Sequence, residues 1–147
     1  MKIGYIDTSF LLSIIYEDEK YETSVDIWNI IDLKFSSIII EIESRINLYK
    51  YYVNKQKNKR LYSLKEKELN DLLSNITKKM VDGEINLEIK NNDNLRRLRS
   101  LDSIHLATAN IINKLIDEKL LLCSYDTEMV KVGKDIGFES IDKWLTR

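Results

Sequence analysis

The sequence predicts an α/β protein: a central, mainly parallel sheet of four to five strands covered by helices on both faces, with a helical hairpin inserted into the pattern. Three observations carry this. Short runs rich in β-branched and aromatic residues alternate along the chain with longer stretches of helical apolar spacing, and that alternation builds parallel sheets with helices on either side. The runs at 2–6 and 120–126 read as buried strands. Proline is absent and there are only 4 glycines in 147 residues, so helices run long and few tight turns are encoded.

The elements follow in order. Residues 2–6, KIGYI, form the first strand. Residues 9–16, SFLLSIIY, are a short helix that Thr8 or Ser9 can cap. A helix over 21–33 places Val25, Trp28, Ile31 and Ile30 or Leu33 at helical spacing. Residues 34–37, KFSS, are a second strand ending in hydroxyls. The helical pattern resumes at Ile38 and continues to about Lys57. A further helix covers 63–81, where Ser63 and Glu66 have capping-box spacing. Together these helices make a hairpin at about 44–81 within one domain spanning 1–147. Asp82-Gly83 marks a turn, the alternating INLEI at 85–89 a strand, and KNNDN at 90–94 a loop. A strong helix over 100–116 carries Ile104, Ala107, Ile111 and Leu115 on one stripe. Residues 120–126 are the most strand-like run, 127–137 a helix closed by Gly137, and 138–141 a last strand.

Composition narrows the class. Hydrophobic residues make up 44% of the chain and charged residues 32%, ordinary for a soluble domain with a real core. A formal net charge of −1 means the whole-molecule field does not announce a nucleic-acid binder. The single Cys123 excludes an internal disulfide framework and fits a reducing compartment. No run approaches ~18 apolar residues, and Asp7, soon after Lys2, breaks a signal-peptide pattern. The expected location is the cytoplasm, with no membrane contact.

Three aspartates stand where chemistry can collect. Asp7 follows the first strand, Asp126 follows the strand at 120–126, and Asp102 opens the helix at 100–116. In an open α/β sheet the carboxyl ends of the strands share one edge, where sites form. Each aspartate alone is explained as a helix cap. Convergence is not: two carboxylates ~4 Å apart repel by roughly 4 kcal/mol at an effective dielectric of 20. A cation relieves that, and hard oxygen ligands without a His or Cys set select Mg²⁺ or Mn²⁺. His105, the only histidine, is three residues after Asp102, a spacing that could turn it to the site; the favoured expectation is that it packs inward beside Leu106 and bonds the backbone. Basic residues and Tyr51, Tyr52 and Tyr62 interleave at 50–65, suited either to RNA or to a solvated helix end.

YIDTSFLL (5–12), a Ser-then-Glu helix at 37–43, LRSLDSIHLATA (98–109) and CSYDTEMVKVGKDIGF (123–138) resemble, in that order, the motifs of PIN-domain nucleases, and most closely the VapC-type toxins of toxin–antitoxin pairs. The resemblance covers nearly the whole chain, and LDSIHLATA is its most specific piece. It implies a PIN-like three-layer α/β/α fold and a metal-dependent endoribonuclease. Carried over by position, its acids are Asp7, a glutamate of the second motif, Asp102 and Asp126, with Thr8, Ser9 and Ser124 as supporting hydroxyls. Counting six residues from Ser37 selects Glu43, with Glu41 as the alternative; two residues apart, they cannot share a helix face. Asp7, Asp102 and Asp126 are the implied metal ligands. Arg96, Arg97 and Arg99, just ahead of Asp102, are placed either to hold a phosphate near the metal or to form a surface ladder. The resemblance further implies an RNA substrate, a cognate antitoxin and a homodimer. Residues 49–97 depart most from the family: the hairpin is long, and the helix usually found before LDSIHLA is nearly missing. Two alternatives stay open: a housekeeping RNA-processing nuclease without antitoxin, and a catalytically silent binding module.

Overall fold

The computed structural model describes residues 1–141. Its elements are β1 (Ile3–Ile6), α1 (Thr8–Tyr16), α2 (Tyr21–Ile30), β2 (Leu33–Ser37), α3 (Ile39–Tyr49), α4 (Lys59–Ser74), β3 (Thr77–Lys79), α5 (Gly83–Lys90), α6 (Ser100–Leu115), β4 (Leu120–Cys123), α7 (Thr127–Asp135) and β5 (Glu139–Ser140). The five strands form one sheet in the order β3-β2-β1-β4-β5, and every neighbouring pair is parallel. All strand carboxyl ends therefore lie on one edge. The chain reverses its direction of travel across the sheet around β1, which makes the end of β1 the natural crevice of the fold.

Alternation along the central strands divides the core. Ile3 and Tyr5 of β1 and Leu120 and Leu122 of β4 face one cluster with Leu95, Leu106, Ile111 and Met129. Ile6, Leu121 and Cys123 face the other, with Phe10, Leu11, Ile27, Ile40 and Leu69. Helices α1–α4 thus cover one face and α5–α7 the other, giving three layers. At Gly4 a side chain would reach within 2.7 Å of Ile31, so the missing Cβ lets the segment after α2 settle onto β1. Gly137, at φ +103°, takes the left-handed conformation that turns the chain from α7 into β5.

The middle of the chain departs from the sequence reading. Helix α4 begins at Lys59, capped by Asn58, whose side chain accepts from the Leu61 N–H. Ser63 lies inside that helix and donates to the Lys59 carbonyl, so no capping box forms there. The helix stops at Ser74, and Thr77–Lys79 is an edge strand within the stretch expected to be helical. Residues 85–89 are helical, not a strand: Asp82 caps α5, accepting from the Glu84 and Ile85 N–H groups. A helix therefore does precede α6. At the other end of the hairpin, α3 runs on as a π-helical turn over Lys50–Lys55. Leu115, on one stripe of α6 with Ile104, Ala107 and Ile111, is 80% exposed at the helix end. Among the described residues no helix is long and apolar enough to cross a membrane.

Candidate active site

Asp7 leaves the central strand at the carboxyl edge, and the Asp7 N–H is still bonded to the Cys123 carbonyl of β4. It occupies the N-cap position of α1, yet its carboxylate makes no capping hydrogen bond, and neither Thr8 nor Ser9 is the cap. Its Oδ2 accepts instead from Ser9 Oγ at 2.6 Å and Ser124 Oγ at 2.8 Å. The two serines close the loop after β4 onto it: Ser9 Oγ accepts from the Tyr125 N–H and Ser124 Oγ from the Asp126 N–H. Asp7 is 4% exposed, a depth at which an acid needs such donors.

Asp126 behaves differently. Its Oδ1 accepts from the Met129 N–H at 2.9 Å, the ordinary cap of α7. Asp102 sits in the first turn of α6, half-buried, with no hydrogen-bond or ion-pair partner among the described residues. Burial first, then the charges of Asp126 and Asp7, raise its pKa to about 6; His105 pulls it down and Glu43 adds to the rise. The four acids of the sequence reading thus share one electrostatic neighbourhood.

The two glutamates of α3 separate cleanly. Glu41 pairs with Lys78 of β3 at 3.3 Å. Glu43 turns to the site, its Oε1 accepting from Thr8 Oγ1 at 2.9 Å and lying 2.6 Å from His105 Nε2. Burial pushes the Glu43 carboxyl up, but the hydrogen bond to His105 and that from the Thr8 hydroxyl outweigh it, leaving the group below its usual range. His105 does not bond the backbone as expected. It is fully buried, with Nδ1 2.7 Å from the Tyr5 hydroxyl and Nε2 3.7 Å from Asp7 Oδ1. Tyr5 was not among the residues singled out from sequence. Its signal is the alternation of β1, which puts Tyr5 on the α6 side of the sheet opposite Ile6.

A cleft of about 550 Å³ opens beside Asp102 and Asp126, lined also by Arg97, Arg99, Tyr125 and Glu128 among others. Arg97 is anchored to Asp135 at 2.8 Å and to Asn94. Arg96 is turned away, closing the carbonyl end of α5 through Ile89 and Lys90 and pairing with Asp93. Of the three arginines, only Arg97 and Arg99 border the cleft. Beyond Tyr125 a second cleft of about 410 Å³ is lined by Lys20, Ser124, Lys131 and their neighbours. Tyr125 itself stacks on Phe10 and carries Lys20 over its ring. The tyrosines at 50–65 are largely used internally. Tyr52 is buried against Tyr16 and Tyr51, and Tyr62 meets Tyr49 and donates to Glu66.

Among the described residues, no three His, Cys, Asp or Glu side chains are gathered tightly enough to hold an ion directly. The donor chemistry nonetheless fits a hard divalent cation: the acids offer only oxygens, and Asp102 is a half-buried carboxylate without a donor. Mg²⁺ takes one or two carboxylates and keeps several waters, so looser spacing suits it. Against known families, residues 4–135 match the one described as PIN domain. No curated protein matches the chain.

Proposed function

The chain belongs to the PIN-domain family, and from that premise we propose that it is a Mg²⁺- or Mn²⁺-dependent endoribonuclease, the VapC-type toxin of a toxin–antitoxin pair. The observation that carries the reading is Asp102: an acid with no donor, raised to about 6 by burial and by Asp126 and Asp7, is an arrangement that costs stability unless a cation shares it. Asp7 and Asp102 are the proposed nearest ligands, with Asp126 and Glu43 reaching the ion through water. The bound ion would supply an activated water and neutralise charge developing on phosphorus.

The chain's own residues do the rest. Ser9 and Ser124 fix Asp7 Oδ2, leaving Oδ1, 3.7 Å from His105 Nε2, without a hydroxyl donor. Asp126 commits Oδ1 to its helix and keeps Oδ2. Arg97, braced by Asp135, and Arg99 hold the RNA phosphate at the mouth of the cleft, and Lys20 and Lys131 border its continuation past Tyr125. The proposed setting is a cytoplasmic homodimer held inactive by its antitoxin.

The test is cleavage of structured RNA with Mg²⁺ or Mn²⁺, with EDTA and with Asp7→Asn. Activity should vanish with chelator and in the variant; equal cleavage by Asp7→Asn would reject the site. For the toxin role, expression should arrest growth and a small co-encoded protein should relieve it. Cleavage without growth arrest would favour an RNA-processing role.

A further inference from the structure

We propose that His105 is a positioning residue: held in one tautomer by Tyr5, it clamps one oxygen of Glu43 and so presents the other to the acidic site. The inference rests on the nuclease reading, because Glu43's task lies in that site. Donors and acceptors fix the arrangement. An ionised carboxylate only accepts, so the 2.6 Å contact of Glu43 Oε1 requires hydrogen on His105 Nε2. In the tautomer this proposal assigns, Nδ1 is the acceptor, and the Tyr5 hydroxyl 2.7 Å away supplies the proton. The Thr8 hydroxyl donates to the same Oε1. Both donors therefore fall on one oxygen, and Oε2 has none among the described residues.

A buried histidine satisfied by its neighbours would be the plainer account. Two features favour positioning. Tyr5 and His105 are both 0% exposed, where an apolar pair would fill the space without the cost of burying three polar atoms. The chain of bonds also has a direction: it starts in the core on β1, crosses α6, and ends on the one partly exposed member, Glu43, at 19%. Outer partners of this kind orient ligands around metal sites, and losing them typically costs about 10–100-fold in affinity or activity.

The chain has 1 histidine, so its imidazole nitrogens can be read by NMR of the ¹⁵N-labelled protein without assignment. The metal-free wild type should show the Nε2–H tautomer, and Tyr5→Phe, which keeps the ring and the packing, a mixture. Mn²⁺ affinity is then measured across a cycle of His105→Leu and Glu43→Gln. His105→Leu should weaken binding by about 10–100-fold when Glu43 is present, and by no more than about twofold in the Glu43→Gln background. His105→Gln, whose amide N–H can stand near the Nε2–H position, should recover most of the affinity. If His105→Leu fails to fold, Tyr5→Phe takes its place in the cycle. An Nδ1–H tautomer in the wild type, or equal losses in both backgrounds, overturns the inference while leaving the nuclease reading intact. A wild type that neither binds Mn²⁺ nor cuts RNA overturns the nuclease reading, and the inference with it.

Discussion

At about pH 7.5 and without metal, replacing Asp102 by Asn is expected to stabilise the fold while removing cleavage. The folded-state pKa of about 6 against an ordinary 3.8 means that folding opposes ionisation of this group. At 1.36 kcal/mol per unit the ceiling is about 3 kcal/mol, and solvent screening at a half-buried position reduces it to about 1–2 kcal/mol. The sign follows from proton binding: between 3.8 and about 6 the folded state holds more protons than the unfolded one, so stability falls as pH rises through that window. The penalty is nearly absent below it and complete above it. Urea unfolding in EDTA should therefore show Asp102→Asn more stable than wild type near neutral pH, by roughly 2–8 °C in melting terms for a chain of this size. The gain should shrink to a small fraction near about pH 4. Saturating Mg²⁺ should narrow the gap by stabilising only the wild type. An Asp102→Asn protein less stable than wild type near neutrality, or a gain that ignores pH, would refute the crowding of charge at this residue.

Further outcomes follow from the same geometry. Ser124→Ala removes one of the two hydroxyls on the buried Asp7 and the acceptor of the Asp126 N–H; denaturant titration should show a loss of about 1–3 kcal/mol. Glu43→Gln should abolish RNA cleavage, whereas Glu41→Gln, which breaks only the Lys78 pair, should leave cleavage unchanged and cost at most about 1 kcal/mol. Asn58→Ala removes the cap of α4 and should cost about 0.5–2 kcal/mol. Ser63→Ala, inside the same helix, should be nearly neutral; thermal melts of both variants check this.

The sheet centre and the acids at its edge were legible because their signals are local and unambiguous. β1 and β4 are apolar on both faces, and α6 has a continuous helical period. The 77–90 stretch differs from its sequence pattern for identifiable reasons. Strand β3 reads Thr-Lys-Lys because it lies on the sheet edge, where lysines guard against pairing with another chain, so it carries no strand-like apolar pattern. In α5, Ile85 and Ile89 satisfy a period of two and a helical i, i+4 spacing equally. Leu87 decides between them: it is 55% exposed while Ile85 is buried, and Asp82, taken for a turn residue, is the cap that starts the helix. The Glu41–Glu43 ambiguity needed the tertiary partner Lys78 to divide them. The partners of His105 are hidden in the sequence for a similar reason. Its helical offset from Asp102 was visible, but Tyr5 and Glu43, 100 and 62 residues away in sequence, are brought to it only by the fold.

Anomalous diffraction from crystals grown with Mn²⁺ bears most directly on the shared acidic pocket. Expected is a peak in the cleft within reach of Asp7 and Asp102, directly or through one water, that disappears in Asp102→Asn crystals. Mn²⁺ bound only elsewhere on the surface, with Asp7, Asp102 and Asp126 unmoved and unliganded, would show that the acids gather for another purpose.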